Sequence, residues 1–242
     1  VQRIKEAEKQ SISEEFQDKE GELMVGTLSR EDQNNYFVDL GRCSGILPKD
    51  QIIPGEKLEM GSSVKVYVSK LEIGPKGPFI MLSRSHYGFV KRLLEIEIPE
   101  LSDGTIMLYS VARDAGSRSK IAVYTEYTNV DPIGAVIGEK GRRIANVLKE
   151  LSGEKIDVIL YDKDPVKFIA NALSPAKDVK VSIKDETKKE ALALVNDKNL
   201  SLAIGKKGQN VKLASRLTHY KIEVKPEEQE NTETTEETSV EE

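Results

Sequence analysis

Four glycines and the charged residues between them are the groups in this sequence best placed to do chemistry. Ile137-Gly138-Glu139-Lys140-Gly141-Arg142-Arg143 returns 67 positions on as Ile204-Gly205-Lys206-Lys207-Gly208-Gln209-Asn210. Each copy follows a small or branched apolar residue (Val136, Ala203) and closes on another (Ile144, Val211). Glycine accepts positive φ and lets a neighbouring backbone come close. A helix that breaks at such a turn and restarts presents free N–H groups and the positive end of its dipole, which suits a phosphate. The chemistry is therefore anion binding, with Lys140, Arg142 and Arg143 as cations of the first copy and Lys206, Lys207 and Lys212 of the second. Glu139 puts a carboxylate inside the first loop, so the second is expected to be the better phosphate site. The alternative is a plain helix–turn–helix with capping glycines, and two copies in matched contexts count against it.

No catalytic constellation accompanies these loops. His86 and His219 flank helical stretches without a nearby cysteine or paired carboxylates, and each reads as a boundary or surface histidine. The single cysteine, Cys43, excludes an intrachain disulfide and a cysteine-cluster metal site. Gly205-Lys206-Lys207-Gly208 lacks the spacing of a nucleotide-binding P-loop, and residues 74–78 read as a turn. No cofactor, no metal and no enzymatic activity are expected.

The chain has 242 residues, 38% hydrophobic and 32% charged, with no run near the ~18–20 apolar residues of a membrane span. Its charged start lacks the apolar core of a signal peptide, so a cytoplasmic location is expected. Beginning at Val1 rather than Met, the chain reads as a piece of a longer one. The net charge of −5 is unevenly spread: residues 226–242 hold eight Glu and no Lys or Arg. Without them 36 basic residues face 33 acidic ones, and without residues 1–22 as well the balance is 32 to 26. Phosphate binding depends on such local balance rather than on the total.

The elements that must position the loops follow from periodicity. Residues 1–20 read as a charged connecting helix with a loose stripe of Ile4, Ala7, Ile12 and Phe16. In residues 21–85, five short β-rich runs (21–30, 36–40, 44–47, 64–71 and 79–83) predict a small barrel. Alternation puts Val38 and Leu40 on one face and Phe37 on the other. Phe37 is then either an exposed stacking aromatic or a cover for a hydrophobic edge. In residues 86–160, Phe89, Val90, Leu93 and Leu94 share a helical face. Strands are expected at 105–111 and 121–124, separated by a polar loop with the cations Arg113, Arg118 and Lys120. Asp131-Pro132 starts a helix that breaks at 138–141, resumes through Ile144, Val147, Leu148 and Leu151, and leads to a strand at 155–160. Residues 161–225 repeat the order: a helix from Asp164-Pro165, a hairpin of 179–183 and 191–195, and a helix capped by Asn199 before Gly205. The helix then resumes with Val211, Ala214 and Leu217, and a strand at 220–224 closes the unit. Each copy is α-β-β-α-α-β. Residues 226–242 are too polar to offset ordering entropy and are expected to be disordered, either as a solvating tail or as an acidic competitor for the basic face.

On these residues the two loops resemble the Gly-x-x-Gly loop of type II KH modules, which clamps the backbone of about four nucleotides. The order Gly26, residues 36–41 and then Gly45-Ile46-Leu47-Pro48 resembles an S1 domain of the oligonucleotide-binding (OB-fold) barrel class. Residues 1–225, with the runs 112–123, 131–135, 168–176 and 200–211, resemble the NusA family of transcription factors without its N-terminal domain. Asp114-Ala115 departs from the Glu-Pro more usual there. The resemblance implies a bacterial RNA-binding transcription factor acting on elongating RNA polymerase in pausing, termination and antitermination. Its main polymerase contact would lie in the missing domain, other antitermination factors could join it, and it would act as a monomer with no membrane partner. Single-stranded RNA would contact residues 137–143 and 204–210, Lys212 and Phe37, with bases in the apolar groove of Val136, Ile137 and Ile144 or of Ala203, Ile204 and Val211. The competing class is an RNA-binding accessory of a phosphorolytic ribonuclease, where KH precedes S1 beside a large catalytic core, or a ribosome-associated factor.

Overall fold

A computed structural model describes residues 2–74 and 77–227. The expected turn at 74–78 falls partly outside these residues, and the Glu-rich segment does so from residue 228 on. Helix α1 (Gln2–Gln17) leads into strands β1 (Leu23–Glu31), β2 (Asn35–Asp39), β3 (Ser44–Pro48), β4 (Ser63–Gly74) and β5 (Gly77–Ser83). The strands close into a barrel in the order β1-β2-β3-β5-β4, with β3 and β5 parallel. Val38, Leu47, Val66, Val68, Ile80 and Leu82 fill it. Only the last turns of α1 join this core: Phe16 is buried and Ile12 packs beside it, whereas Ile4 and Ala7 stay exposed. The stripe read along the helix is thus used at one end only.

The rest is two copies of one unit. The first runs through α2 (Tyr87–Glu97), α3 (Pro99–Ser102), β6 (Met107–Asp114), β7 (Arg118–Tyr124), α4 (Pro132–Ile137), α5 (Arg142–Lys149) and β8 (Lys155–Leu160). The second runs through α6 (Pro165–Ala172), β9 (Lys180–Asp185), β10 (Glu190–Val195), α7 (Asp197–Ile204), α8 (Gln209–Thr218) and β11 (Lys221–Pro226). Each sheet has an antiparallel hairpin whose second strand pairs in parallel with the last strand. The architecture is a small all-β barrel followed by two α+β units. Asp131 and Asp164 cap α4 and α6 with a proline at the first turn, as their dipeptides require. The cap of α7 is Asn196, not Asn199: Asn196 Oδ1 accepts from Asn199 N at 3.0 Å, while Asn199 Oδ1 accepts from Lys177 N.

The expected polar loop between the first hairpin's strands is nearly absent. Arg113 and Asp114 end β6 and Arg118 to Lys120 begin β7, so only residues 115–117 turn. The cations are drawn into strands by two carboxylates at the start of β8. Arg113 grips Glu154 through Nε and Nη2 at 3.0 Å each and donates Nη1 to the carbonyls of Arg84 and His86. Glu154 also accepts from Ser119 Oγ at 2.6 Å and Gly116 N at 3.1 Å, and its side chain is fully buried. Lys120, buried as well, reaches Asp157 at 3.1 Å and the carbonyl of Ser174 at 2.7 Å. Burial pushes the Asp157 carboxyl up, but Arg118 and Lys120 outweigh it and hold it below the ordinary carboxylate range.

Through these groups the parts are joined. Arg84 pairs with Glu56 of the barrel and donates to the carbonyls of Lys65 and Glu150. Ala112, Ala122 and Ile159 present the outer face of the first unit's sheet to Phe168, Ile169, Leu213 and Leu217 of the second, in one core. Among the described residues no helix is long and apolar enough to cross a membrane.

Removing one partner of a buried pair leaves an uncompensated charge, which costs about 3–5 kcal/mol. Glu154→Ala is therefore expected to lower unfolding free energy by about that much in a denaturant titration, and an unchanged midpoint would contradict the role given to Glu154. Asp157 has a depressed carboxyl, so its contribution is complete above the ordinary Asp range and is lost as pH falls through the folded value. Stability followed by circular dichroism should fall on acidification through that window, and less steeply in Asp157→Asn.

Candidate nucleic-acid interface

Both loops are made the same way. Gly138 and Gly205 end α4 and α7 with φ/ψ of 76/173° and 76/170°. Lys140 and Lys207 take left-handed values of 51/27° and 53/27°, and Gly141 and Gly208 follow at 74/16° and 74/15°. Gly141 and Gly208 donate back to the carbonyls of Gly138 and Gly205 at 3.0 and 3.1 Å. No side chain caps α5 or α8, which start at the following residue. The first-turn amides of both helices therefore lack the side-chain acceptor that usually occupies them.

The first glycine of each loop is required for space as well as for φ. A Cβ on Gly205 would lie 2.7 Å from both the backbone nitrogen and the Cβ of Asn210, and one on Gly138 would lie 2.7 Å from Arg143 Cγ. Asn210 and Arg143 thus sit against the loops as braces. Asn210 is buried and donates its amide to the carbonyls of Leu173 and Ala203. Arg143 donates to Glu100 at 2.8 and 3.0 Å and to the carbonyl of Ala135 at 2.8 Å. Asn210 is therefore not presented to solvent as the sequence suggested, and Arg143, though partly exposed, is committed to Glu100. The short helix holding Glu100 lies between the expected elements and carried no periodic signal.

Other residues separate by environment. Glu139, Lys140, Arg142, Lys206, Lys207 and Lys212 are exposed. Among the described residues none of these six has a side-chain ion pair, and Lys212 makes a 3.5 Å contact to the carbonyl of Lys207. Gln209 is tied to the first unit, its Nε2 donating to Asp114 Oδ2 at 2.6 Å and Ser117 Oγ at 2.7 Å. The second loop is thereby fixed against the first unit's hairpin. Val136 and Ala203 are fully buried in the cores, so of the apolar groove residues only Ile137, Ile144, Ile204 and Val211 retain exposed surface. Phe37 is half-buried on the outer face of the barrel, with the Arg30 guanidinium 4.0 Å above its ring.

A cleft of about 710 Å³ that the periodicity did not suggest runs between the two units. One wall is Ile133 with Val158 to Leu160 of β8, and the other comes from the end of α6 and the segment before β9, including Asn171 and Lys177. It could be found only from the packing of the second unit on the first. His86 and Cys43 have structural roles. His86 caps α2 through Nδ1 and stacks on Tyr67, with burial and then Arg113 lowering its pKa. Cys43 is pushed up to about 11, first by burial and then by Glu15 and Asp39, which keeps its thiol protonated and unreactive.

The two glycines of the second loop should respond differently to a methyl group. Gly208 has open space, its nearest neighbour being Lys212 Cε at 3.7 Å. Gly208→Ala is expected to cost about 1 kcal/mol from its φ alone, and Gly205→Ala at least about twice that because a fixed backbone nitrogen stands in the way. Thermal unfolding of the two variants measures the difference, and equal losses would refute the close-approach account.

Comparison with known proteins agrees with this architecture. Residues 84–161 match the NusA-like first KH domain and residues 165–232 the NusA-like second KH domain. The chain is 48% identical over 94% of its length to the transcription termination/antitermination protein NusA of Halalkalibacterium halodurans and 47% over 94% to that of Bacillus subtilis. It spans 59% and 61% of the length of those relatives, and 67% of the Mycobacterium tuberculosis protein of the same name, to which it is 44% identical over 93% of its own length. With a barrel of the OB type followed by two units that each match a KH domain of this kind, in register with relatives along nearly its whole length, the chain belongs to the NusA family.

Proposed function

We propose that this chain binds single-stranded RNA and contributes that binding to a factor that modulates pausing, termination and antitermination by bacterial RNA polymerase. The observation that carries the reading is the pair of Gly-x-x-Gly turns with superimposable dihedrals. Each has an uncapped restarting helix and exposed lysines with no ion pair among the described residues. Backbone amides and lysines there suit the sugar–phosphate chain. The half-exposed Ile137, Ile144, Ile204 and Val211 suit bases beside the loops, and the Arg30–Phe37 pair suits a further base on the barrel. The names of the relatives support the transcriptional setting. The RNA in that setting is the nascent transcript. The main polymerase contact lies in a part of the factor outside this chain, other antitermination factors are candidate partners, and the protein acts as a cytoplasmic monomer without catalysis.

The second loop is the stronger phosphate site. Glu139 stands inside the first loop, and Glu97 lines the recess beside it with Arg142 and Arg143. Lys206 and Lys207 carry no carboxylate between them. Linking several weak sites on one chain raises the total affinity, because later contacts become intramolecular.

RNA anisotropy across a salt series tests this reading. Lys206→Asp/Lys207→Asp is expected to weaken binding strongly and to reduce the slope of log K against log salt by about 1–2. Glu139→Asp/Lys140→Asp should have the smaller effect. Wild-type affinity and slope in both variants would mean that the turns serve structure only.

A further inference from the structure

An aromatic stack stands at the seam between the two KH units, away from the Gly-x-x-Gly loops. Tyr109 of β6 lies against Tyr161 with ring centroids 3.9 Å apart and planes 17° apart. Tyr161 follows β8 directly and extends its pairing, donating its N–H to the carbonyl of Val123 at 2.9 Å. Tyr124 leans on Tyr161 from 5.2 Å, and Phe168 of α6 meets Tyr109 and Tyr161 edge-on at 5.6 and 5.0 Å. Phe168 is buried, as an aromatic that only fills a seam is expected to be, yet Tyr109 remains 44% exposed. Tyr161 stacks on one face of the Tyr109 ring and Phe168 stands perpendicular beside the pair, so neither ring lies over the opposite face of Tyr109.

The stack begins one residue beyond the cleft wall. Leu160, itself exposed, lines the cleft, and the next residue along the chain is the tyrosine that carries Tyr109. Three of the eight tyrosines gather here in a chain without tryptophan, so this is a concentrated π surface rather than a scattered one. An aliphatic partner could be met by leucines alone. A phenol held flat against a second ring, with its other face open, selects a flat π-system. A strand lying in the cleft past Leu160 delivers one. We propose that the open face of Tyr109 takes an unpaired nucleobase of an RNA strand that leaves the cleft past Leu160. The proposal rests on the RNA-binding reading above and adds a base-stacking site that contributes no phosphate contact.

The test compares Tyr109→Leu, which keeps apolar bulk, with Tyr109→Phe, which keeps the ring, using fluorescein-labelled mixed-sequence RNAs of about six and about twelve nucleotides. The longer RNA is expected to bind Tyr109→Leu about tenfold more weakly than wild type, with the shorter RNA and the salt slope unchanged and Tyr109→Phe within about twofold. RNA carrying 5-iodouridine should photocrosslink to Tyr109 in the wild type. Wild-type affinity of Tyr109→Leu for the longer RNA overturns the proposal. So does an equal loss for both RNAs with a lowered melting temperature, which marks the ring as packing only. Lys206→Asp/Lys207→Asp is measured alongside. If it weakens binding while Tyr109→Leu does not, the stacking site fails alone, and if neither does, the RNA-binding reading fails with it.

Discussion

The arrangement of the three parts depends on two carboxylates, Glu154 and Asp157, placed just before and within β8. A fully buried glutamate is costly unless every lone pair is answered, and Glu154 has Arg113, Ser119 and the Gly116 amide to answer it. Arg113 in turn spends its remaining donor on the carbonyls of Arg84 and His86, the segment that leads from the barrel into α2. Arg84 faces the other way, into the barrel's Glu56. Two ion pairs, Glu56–Arg84 and Arg113–Glu154, thus run from barrel to first KH unit, linked by the hydrogen bond from Arg113 to the backbone carbonyl of Arg84. Three residues along, Asp157 repeats the device toward the second unit through Lys120 and the carbonyl of Ser174. Such pairs add less net stability than apolar packing of the same volume, but they are directional. A half-made junction leaves a buried charge unpaired, so the relative placement of the parts is specified more sharply than greasy contacts would specify it.

Duplication makes the difference between the units informative. The outer face of the first sheet carries the cross-strand row Ser110, Ala122 and Ile159, and the helices α6 and α8 lie on it. The corresponding row of the second sheet is Lys180, Leu194 and Lys225. Small and apolar residues admit a neighbouring helix pair. Exposed lysines stand at both ends of the second row, where the first has a serine and an isoleucine. The same fold therefore offers an apolar face in one copy and a basic-edged face in the other by exchange of a few side chains.

What the sequence disclosed follows from the range of the interactions concerned. The glycine pairs, the Asp-Pro starts and the alternation of the barrel strands are local signals, and they gave the element order and both turns. The errors lie where a partner is distant in sequence. Arg113, Arg118 and Lys120 look like a solvated loop because Glu154 and Asp157 stand some forty residues away. Asn210 looks like a surface residue after a glycine turn, but its partner Leu173 lies in the preceding helix–strand connection. Val136 and Ala203 flank the loops in sequence yet point into the cores. Phe37, for which alternation allowed exposure or cover, is half of each, because the Arg30 guanidinium occupies part of its ring. The cleft and the tyrosine stack have no local signature at all, since each is made by two units meeting.

The net charge of −5 would argue against a polyanionic ligand if charge acted as a total. It does not, because screening confines an exposed charge to roughly 10 Å at ordinary ionic strength. What a phosphate at either loop meets is the immediate set of side chains, and there the two copies diverge. Around the first loop, Glu139 is in the turn, Glu97 lines the recess, and Arg143 is already committed to Glu100. Around the second, the Asp114 carboxylate is engaged by Gln209, while Lys206 and Lys207 stand exposed. Identical backbones thus sit in different fields. A strand crossing both would be held electrostatically at the second and positioned chiefly by shape and apolar contact at the first. Gln209 ties the second loop to the first unit's hairpin through Asp114 and Ser117, so on the proposed reading the two loops would be offered to such a strand in one fixed arrangement.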